Sequence, residues 1–240
     1  MNLDSAKRVL SVRGWLRRLP DGFRQEFLQG ARLRRFQSGE IVFHVADPAT
    51  EFVGLADGLL EDHIDPGTGT PRLSFIGHPG WWIGGVGLAD GSWRRATVVA
   101  RTPAVVLGVP RGHVEAMARA DGSVWKHLAG NISAHYDRLS MLLLASTHPD
   151  PVMRILLTLS RLHRFNDGAV HFPVTQSELA EMASLSRNTA NRALRRLVSG
   201  GVVEAGYGWL RIADPGALDH ALAGISGPHA QTVRRAVEVG

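Results

Sequence analysis

Residues 174–212 carry the strongest structural signal in this chain, a helix start, a tight turn, a second helix and a hairpin in succession. Thr175 and Glu178 have the Thr-x-x-Glu spacing of a capping box, which predicts a helix from Gln176. Residues 184–186 are then predicted to form a tight turn, in which the chain changes direction sharply. The order of these signals predicts two short helices that pack at an angle.

The second helix is predicted from Arg187 to the Gly200-Gly201 pair, because Ser186 can cap its start and glycine is the usual residue past a helix end. Its expected buried residues are Ala190, Leu194, Leu197 and Val198. Its polar residues are Arg187, Asn188, Asn191, Arg192 and Arg195. Val202–Ala205 and Trp209–Ile212 flank a Gly206-Tyr207-Gly208 turn and predict a β-hairpin wing. The whole segment is predicted to be a winged helix-turn-helix.

Such a second helix is suited to the major groove of DNA, where arginine pairs with guanine and asparagine with adenine. We expect base contacts from Arg187, Asn188 and Arg192. The candidates for phosphate contacts are Thr175, Ser177, Ser186, Thr189 and Arg195. The chain has a net charge of +5, and all its basic residues except Lys7 and Lys126 are arginine. A GC-rich genome would also favour arginine, so charge by itself only permits a nucleic-acid partner.

The N-terminal half has a different pattern, short apolar stretches separated by Gly, Pro and Asp turns. Many short strands at close spacing predict an antiparallel β-roll of the jelly-roll type, preceded by a helix at Asp21–Gln29. The expected strands are Ala31–Phe36, Glu40–His44, Phe52–Leu55, Leu59–Ile64, Arg72–Ile76, Trp82–Ile83, Ala96–Ala100 and Ala104–Val109. Trp81, Trp82 and Trp93 are expected in the core of the roll, a base-stacking platform being the alternative. The fold class is therefore α+β.

A long helix is predicted between these two parts, from about residue 123 to 145. Its apolar positions recur at steps of three or four: Val124, Leu128, Ile132, Tyr136 (or His135), Leu139 and Leu143. It can pack on its own β-roll or pair with a second subunit, and we favour pairing. Two prolines in residues 147–151 end it, and a further helix is expected at Pro151–Arg164. The expected domains are residues 1–122, the dimerisation helix 123–146, the DNA-binding domain 147–213 and a tail 214–240 with a helical piece near Gln231–Val239.

Composition excludes several other classes of protein. The chain has no cysteine, so it has no disulfide scaffold, thiolate nucleophile or cysteine-bound metal. The longest apolar run, Met141–Ala145, is far too short to cross a bilayer, and the N-terminus does not resemble a signal peptide. We expect a cytoplasmic protein that does not bind membranes. The eleven histidines lack the spacing of metal ligands, and no set of catalytic side chains is evident, so we expect neither a metal site nor an enzyme.

The helix-turn-helix segment resembles the C-terminal domain of the CRP/FNR family of bacterial transcription regulators. Two upstream stretches agree: residues 78–88 resemble the family's Gly-aromatic-Gly-Glu-Leu-Gly-Leu segment, and residues 94–98 resemble its Arg-Ser-Ala phosphate-binding segment. The resemblance covers about residues 13–213. It implies a cyclic-nucleotide-binding-like β-roll, a dimerisation helix and a winged helix-turn-helix. The effector pocket that it implies contains Gly84, Gly85, Arg94, Arg95 and Ala96.

Two departures from the family pattern bear on ligand and DNA. Gly85 stands where cyclic-AMP-binding members have the Glu that binds the ribose, and Arg95 replaces the Ser beside the phosphate-binding Arg. We therefore expect another small anionic effector at Arg94, or none, rather than cyclic AMP. Asn188 replaces a frequent Glu in the recognition helix, so the half-site is expected to differ from TGTGA at one base pair.

The resemblance also implies the partners: a palindromic operator in double-stranded DNA, a second copy of the chain, and RNA polymerase. The alternative function is a cyclic-nucleotide or small-anion sensor, or an interaction module, in which DNA binding is not the primary role.

Overall fold

The computed structural model describes residues 1–65, 67 and 69–223, which form two compact units, residues 1–133 and residue 134 onward. The first unit contains two four-stranded antiparallel sheets, one in the order β1-β8-β3-β6 and the other β2-β7-β4-β5. The strands are β1 (Arg32–Phe36), β2 (Ile41–Phe43), β3 (Glu51–Asp57), β4 (Leu60–Ile64), β5 (Arg72–Gly77), β6 (Trp82–Ile83), β7 (Thr97–Ala100) and β8 (Ala104–Pro110). The predicted β-roll and its strand positions are confirmed.

Burial along these strands follows from their place in the sheets. Strand β8 lies between β1 and β3 and is buried on both faces, which explains why Ala104–Val109 contains only apolar side chains and Gly108. Strand β7 alternates half-buried and buried residues, because successive side chains of a strand point to opposite faces. One core of the unit consists of buried side chains of β3, β6 and β8 together with those of the helical segments that pack on them, such as Leu10, Phe27 and Leu128.

Aromatic side chains dominate that core. Trp15, Phe27, Phe52 and Trp82 pack with ring centroids 5.2–6.1 Å apart, mostly edge to face. Trp81 and Trp82 are buried, as predicted. The prediction for Trp93 is wrong, because this residue lies in the connection before β7 and 64% of it is exposed. Its isolated backbone bridge to Pro48 pairs the main chain but does not bury the indole.

Helices complete the first unit. The predicted helix α2 (Asp21–Gln29) is present, whereas α1 (Leu3–Ser11), α3 (Gly85–Asp90) and α4 (Arg111–Ala120) were not expected. Helix α1 is capped by the Asn2 side chain, which accepts a hydrogen bond from the backbone N–H of Ser5 at 2.9 Å. The long helix α5 (Ser123–Thr147) begins where the periodicity predicts and contains the division between the two units.

The second unit contains the helices and the hairpin predicted for the C-terminal half. Its elements are α6 (Pro151–Arg164), β9 (His171–Phe172), α7 (Gln176–Met182), α8 (Arg187–Ser199), β10 (Val203–Gly206), β11 (Trp209–Ile212) and α9 (Pro215–Ala223). The three strands form one antiparallel sheet in the order β10-β11-β9. Helix α9 occupies the start of the tail, packs on α6 and is tied to it by the Arg164–Asp219 ion pair at 2.8 Å. The helical piece expected near Gln231–Val239 lies outside the described residues.

Candidate nucleic-acid interface and ligand pocket

The capping box at the start of α7 has the predicted geometry. The Thr175 hydroxyl oxygen accepts a hydrogen bond from the backbone N–H of Glu178 at 3.2 Å. In return, the Glu178 carboxylate accepts from the backbone N–H and the hydroxyl of Thr175, at 2.7 and 2.8 Å. The Thr175 proton is thus donated within the cap, which leaves its side chain only as an acceptor.

An arginine that the sequence analysis did not single out holds the turn between α7 and α8. Arg154 of α6 donates to the carbonyl oxygens of Ser184 at 2.9 Å and His148 at 2.6 Å. Ser184 adopts a left-handed conformation with φ of +54°, and the next residue, Leu185, donates its N–H to the Ala180 carbonyl at 2.8 Å. Ser184 thus takes a backbone conformation that glycine adopts with less strain. Only the tertiary packing brings Arg154 to this turn, 30 residues further along the chain.

Helix α8 begins at a cap that also organises its first turn. Ser186 accepts the backbone N–H of Thr189 at 3.2 Å, and the two hydroxyl oxygens lie 2.9 Å apart. Arg192 donates to the Thr189 hydroxyl at 3.4 Å. Both hydroxyls therefore form hydrogen bonds within the first turns of α8, and a contact with a partner would be additional to these.

The exposed face of α8 carries the side chains expected to bind DNA. Asn188, Arg192 and Arg195 are exposed and follow one another at steps of four and three, so they lie on one side of the helix. Arg187 is exposed at its start. The opposite side is buried and consists of Ala190, Ala193, Leu194 and Leu197. Val198, predicted to be buried, is 42% exposed because it lies about a quarter turn from the middle of that apolar stripe.

Helix α8 is also strongly basic. Its four arginines, at 187, 192, 195 and 196, are all exposed, and the helix contains no acidic residue. Among the described residues, none of these guanidinium groups forms an ion pair. The surface therefore presents unneutralised, fork-shaped donors that match phosphates and guanine edges.

The hairpin of β10 and β11 forms the wing, and side-chain contacts to β9 and between the two strands stabilise it. Trp209 stacks on His171 of β9 with centroids 5.7 Å apart and planes 17° apart, and Glu204 pairs with Arg211 across the strands. A Cβ on Gly206 would lie 2.2 Å from the Trp209 indole nitrogen, so only glycine fits there. The wing tip presents Tyr207, which is fully exposed.

In the β-roll, a buried arginine lies beside two consecutive glycines. Arg94 is only 5% exposed, its Nη2 donates to the Glu51 carbonyl at 2.8 Å, and its guanidinium lies 4.1 Å from the Phe43 ring centroid. A Cβ on Gly84 would lie 2.0 Å from Nη1 of Arg94, and Gly84 has a φ of +97°. Glycine at 84 is therefore what makes room for the guanidinium.

The carboxylates of Glu51 and Asp47 partly compensate the buried charge of Arg94. Burial lowers the pKa of its guanidinium from the ordinary value; Glu51 opposes that effect, and Arg34 adds to it. Arginine nevertheless remains protonated near neutral pH. Its Nε and Nη1 groups have no hydrogen-bond partner among the described residues. A buried cation with two free donors is suited to an anion.

The other predicted pocket residues differ in position. Arg95 points to the surface, where it pairs with Asp90 at 3.0 Å and its side chain is 63% exposed. Ala96 is half-buried and has no polar side chain. Gly85 is buried, and Phe52 and Asn131 face the position that a Cβ would occupy, at 3.3 and 3.5 Å. The structure therefore assembles Gly84, Gly85 and Arg94 and leaves Arg95 outside.

Two protein families match the two parts of this architecture. The cyclic nucleotide-binding domain matches residues 33–121, and the Crp-like helix-turn-helix domain matches residues 152–221. The cyclic AMP receptor protein of Thermus thermophilus is 26% identical over 196 residues, which cover 80% of this chain and 89% of that protein.

Solved structures show the same fold. FixK2 from Bradyrhizobium japonicum has a TM-score of 0.69 at 18% identity, covering 82% of this chain and 99% of that one. A CRP/FNR-family transcriptional regulator from Thermus thermophilus has a TM-score of 0.56 at 21% identity, covering 79% of this chain and 97% of that one.

A cyclic-nucleotide-binding-like β-roll combined with a basic winged helix-turn-helix defines a DNA-binding transcription regulator. The chain belongs to the CRP/FNR family of these regulators. The alternative in which DNA binding is secondary is not favoured. In the part of the chain that the structure describes, no helix has the length and apolar character to cross a membrane, and no cluster of side chains is suited to a metal.

Proposed function

We propose that the protein binds a two-fold symmetric operator as a homodimer, in the cytoplasm, and regulates transcription there by RNA polymerase. The observation that carries the proposal is the exposed, acid-free face of α8, with Asn188, Arg192 and Arg195 in line. Binding of this kind involves no catalytic step by the protein. Three of the four expected domains serve it directly: a sensory roll, a pairing helix and a DNA-binding domain.

The pairing surface is a stripe on α5. The predicted single stripe divides in two, because Val124 and Leu128 pack into the core of the first unit. The remaining part follows the alternating steps of four and three that are typical of coiled coils. It consists of Ile132, Tyr136, Leu139 and Leu143 of the predicted stripe and extends to Trp125 and Ala129, which were not predicted to belong to it; all six are exposed or half-buried. Tyr136 is 69% and Leu143 64% exposed, which is unusual for large apolar residues on one helix face unless they are covered by a partner.

We assign the base contacts to Arg187, Asn188 and Arg192, with Asn188 reading an adenine. Arg195, Ser177 and the caps Ser186 and Thr189 contact phosphates, which set register without reading sequence. Thr175 joins this set only as part of its capping box, because its proton is donated to Glu178.

A binding experiment at two salt concentrations tests these roles. Arg192→Ala is expected to weaken binding to the selected operator by roughly 1–3 kcal/mol and to relax specificity at one base pair. Arg195→Ala is expected to weaken specific and random DNA alike and to reduce the salt dependence of binding. The matched control is Arg119→Ala, an exposed arginine of α4. If both α8 variants change specific and random binding to the same extent, the assignment of roles is wrong.

We further propose that the β-roll takes a small anionic effector at Arg94 and does not bind cyclic AMP in the usual way. The support is a buried guanidinium with two free donors beside Gly85, which has no carboxylate for a ribose hydroxyl. Titration with cyclic AMP, followed by calorimetry, is expected to show no binding at micromolar protein, and tight binding would refute this proposal.

A further inference from the structure

Asn131 is a second buried polar residue close to the two glycines beside Arg94. It lies on α5, is 5% exposed, and its Oδ1 accepts no hydrogen bond from any described residue. That oxygen lies 3.5 Å from the position of a Cβ on Gly85. Buried polar atoms in native proteins nearly always have a partner, so an acceptor left in this state marks a place where a ligand can bind.

Arg94 and Asn131 approach two consecutive residues. Nη1 of Arg94 lies beside Gly84, and Oδ1 of Asn131 lies beside Gly85. The first atom is a cationic donor and the second a neutral acceptor. One ligand satisfies both only if it combines a negative charge with a hydrogen-bond donor.

The surroundings limit the size of that ligand. Phe52 is 3.3 Å from the Gly85 Cβ position, and Phe43 covers the Arg94 guanidinium. A Cβ at Gly85 would already contact Phe52 and Asn131, and Gly85 has no carboxylate for a ribose hydroxyl. A compact anion is therefore favoured over a nucleotide.

We propose that the pocket selects a compact oxyanion that still carries a proton, with Arg94 binding its charge and Asn131 Oδ1 accepting its O–H. Hydrogen phosphate has this chemistry near neutral pH, whereas a phosphate monoester keeps its O–H only below its second pKa of about 6. Sulfate has the same shape and charge but no proton to donate, so Asn131 has nothing to accept from it. Asn131 is thus the specificity-determining residue of the pocket, and the proposal rests on the anion site proposed above.

Isothermal titration calorimetry of the full chain with inorganic phosphate and with sodium sulfate, at equal ionic strength and pH 7, tests the proposal. The wild-type protein is expected to bind phosphate at least ten-fold more tightly than sulfate. Asn131→Ala is expected to reduce phosphate affinity to that of sulfate, while sulfate affinity is unchanged. Arg94→Gln is expected to abolish binding of both anions. Ser133→Ala and Arg119→Gln, both at exposed positions, are the matched controls and should retain the preference.

A second variant addresses folding. Asn131→Asp keeps the shape of the side chain and an oxygen that accepts an O–H but adds a negative charge, so it should exclude sulfate and still bind hydrogen phosphate while its circular dichroism spectrum matches that of the wild type. Phosphate monoesters are then compared with inorganic phosphate to identify which source of the chemistry binds more tightly.

Equal affinity for phosphate and sulfate in the wild type, or an undiminished preference in Asn131→Ala, overturns the proposal. So does tighter binding of cyclic AMP than of phosphate. Operator binding is measured on the same samples. Loss of DNA binding with an intact phosphate preference would refute the proposed regulatory function alone, and intact DNA binding without any preference would refute this inference alone.

Discussion

Shortening Leu143 on the exposed stripe of α5 is expected to weaken the dimer by a calculable amount. Leu143→Ala removes three carbon atoms, worth about 0.8 kcal/mol each when buried, or about 2.4 kcal/mol for a fully exposed side chain. Leu143 is 64% exposed in the single chain, so pairing can bury about two thirds of that, roughly 1.5 kcal/mol per protomer. A symmetric dimer contains the residue twice. The expected loss is about 3 kcal/mol, or roughly a 150-fold rise in the dimer dissociation constant.

Sedimentation velocity across a range of protein concentrations measures that constant directly. Val12→Ala provides the control, because Val12 is 67% exposed and lies outside the stripe, at the end of α1. Its dissociation constant should equal that of the wild type. If Leu143→Ala dimerises as tightly as Val12→Ala, the stripe does not pair two chains and the homodimer proposal loses its structural basis.

Three further substitutions test local physics. Ser184→Gly should raise the free energy of unfolding by about 0.5 kcal/mol in urea titrations, because glycine relieves the left-handed φ but loses more chain entropy; a decrease would contradict this. Ser186→Ala should lower the free energy of unfolding by about 1 kcal/mol, because the hydrogen bond from the Thr189 N–H to the α8 cap is lost; an unchanged urea midpoint would show that the cap is not stabilising. The hydrogen bond from His63 lowers the pKa of Glu61 in the folded protein. The ionised Glu61 therefore stabilises the fold above the ordinary glutamate pKa of about 4.3, and this stabilisation is lost as the pH falls through the lower folded-state pKa. The stability difference between wild type and Glu61→Gln should therefore be largest near neutral pH and shrink on acidification, and a constant difference would refute the link.

The helix-turn-helix was predictable because its signals are local. The Thr175–Glu178 capping box, the Ser186 cap and the glycines after α8 each act within a few residues, so they determine helix ends wherever the segment lies. The strands of the β-roll were predictable for a similar reason, since turn residues and apolar runs set their ends. These signals did not predict α1, α3, α4 or α9; α3 and α4 begin without a side-chain cap, so no local residue pair marks their starts.

The resemblance to a family located Gly84, Gly85 and Arg94 but not their surroundings. Arg95 differs from Arg94 by one position, yet the structure buries one and exposes the other, because successive residues there point to opposite sides. The predictions that Trp93 and Val198 are buried were wrong, because an apolar residue is buried only where another element covers it.

The amino-acid order alone determined the strands, the helix-turn-helix and the basic character of the DNA-facing helix, because propensity, capping and charge act over a few residues. Only the tertiary structure decided which distant side chains meet: Arg154 at the turn, Phe43 beneath Arg94, and Asn131 opposite Gly85, 46 positions away in the chain. Contacts of that kind depend on how sheets and helices pack, and packing is a property of the whole chain that no short pattern encodes.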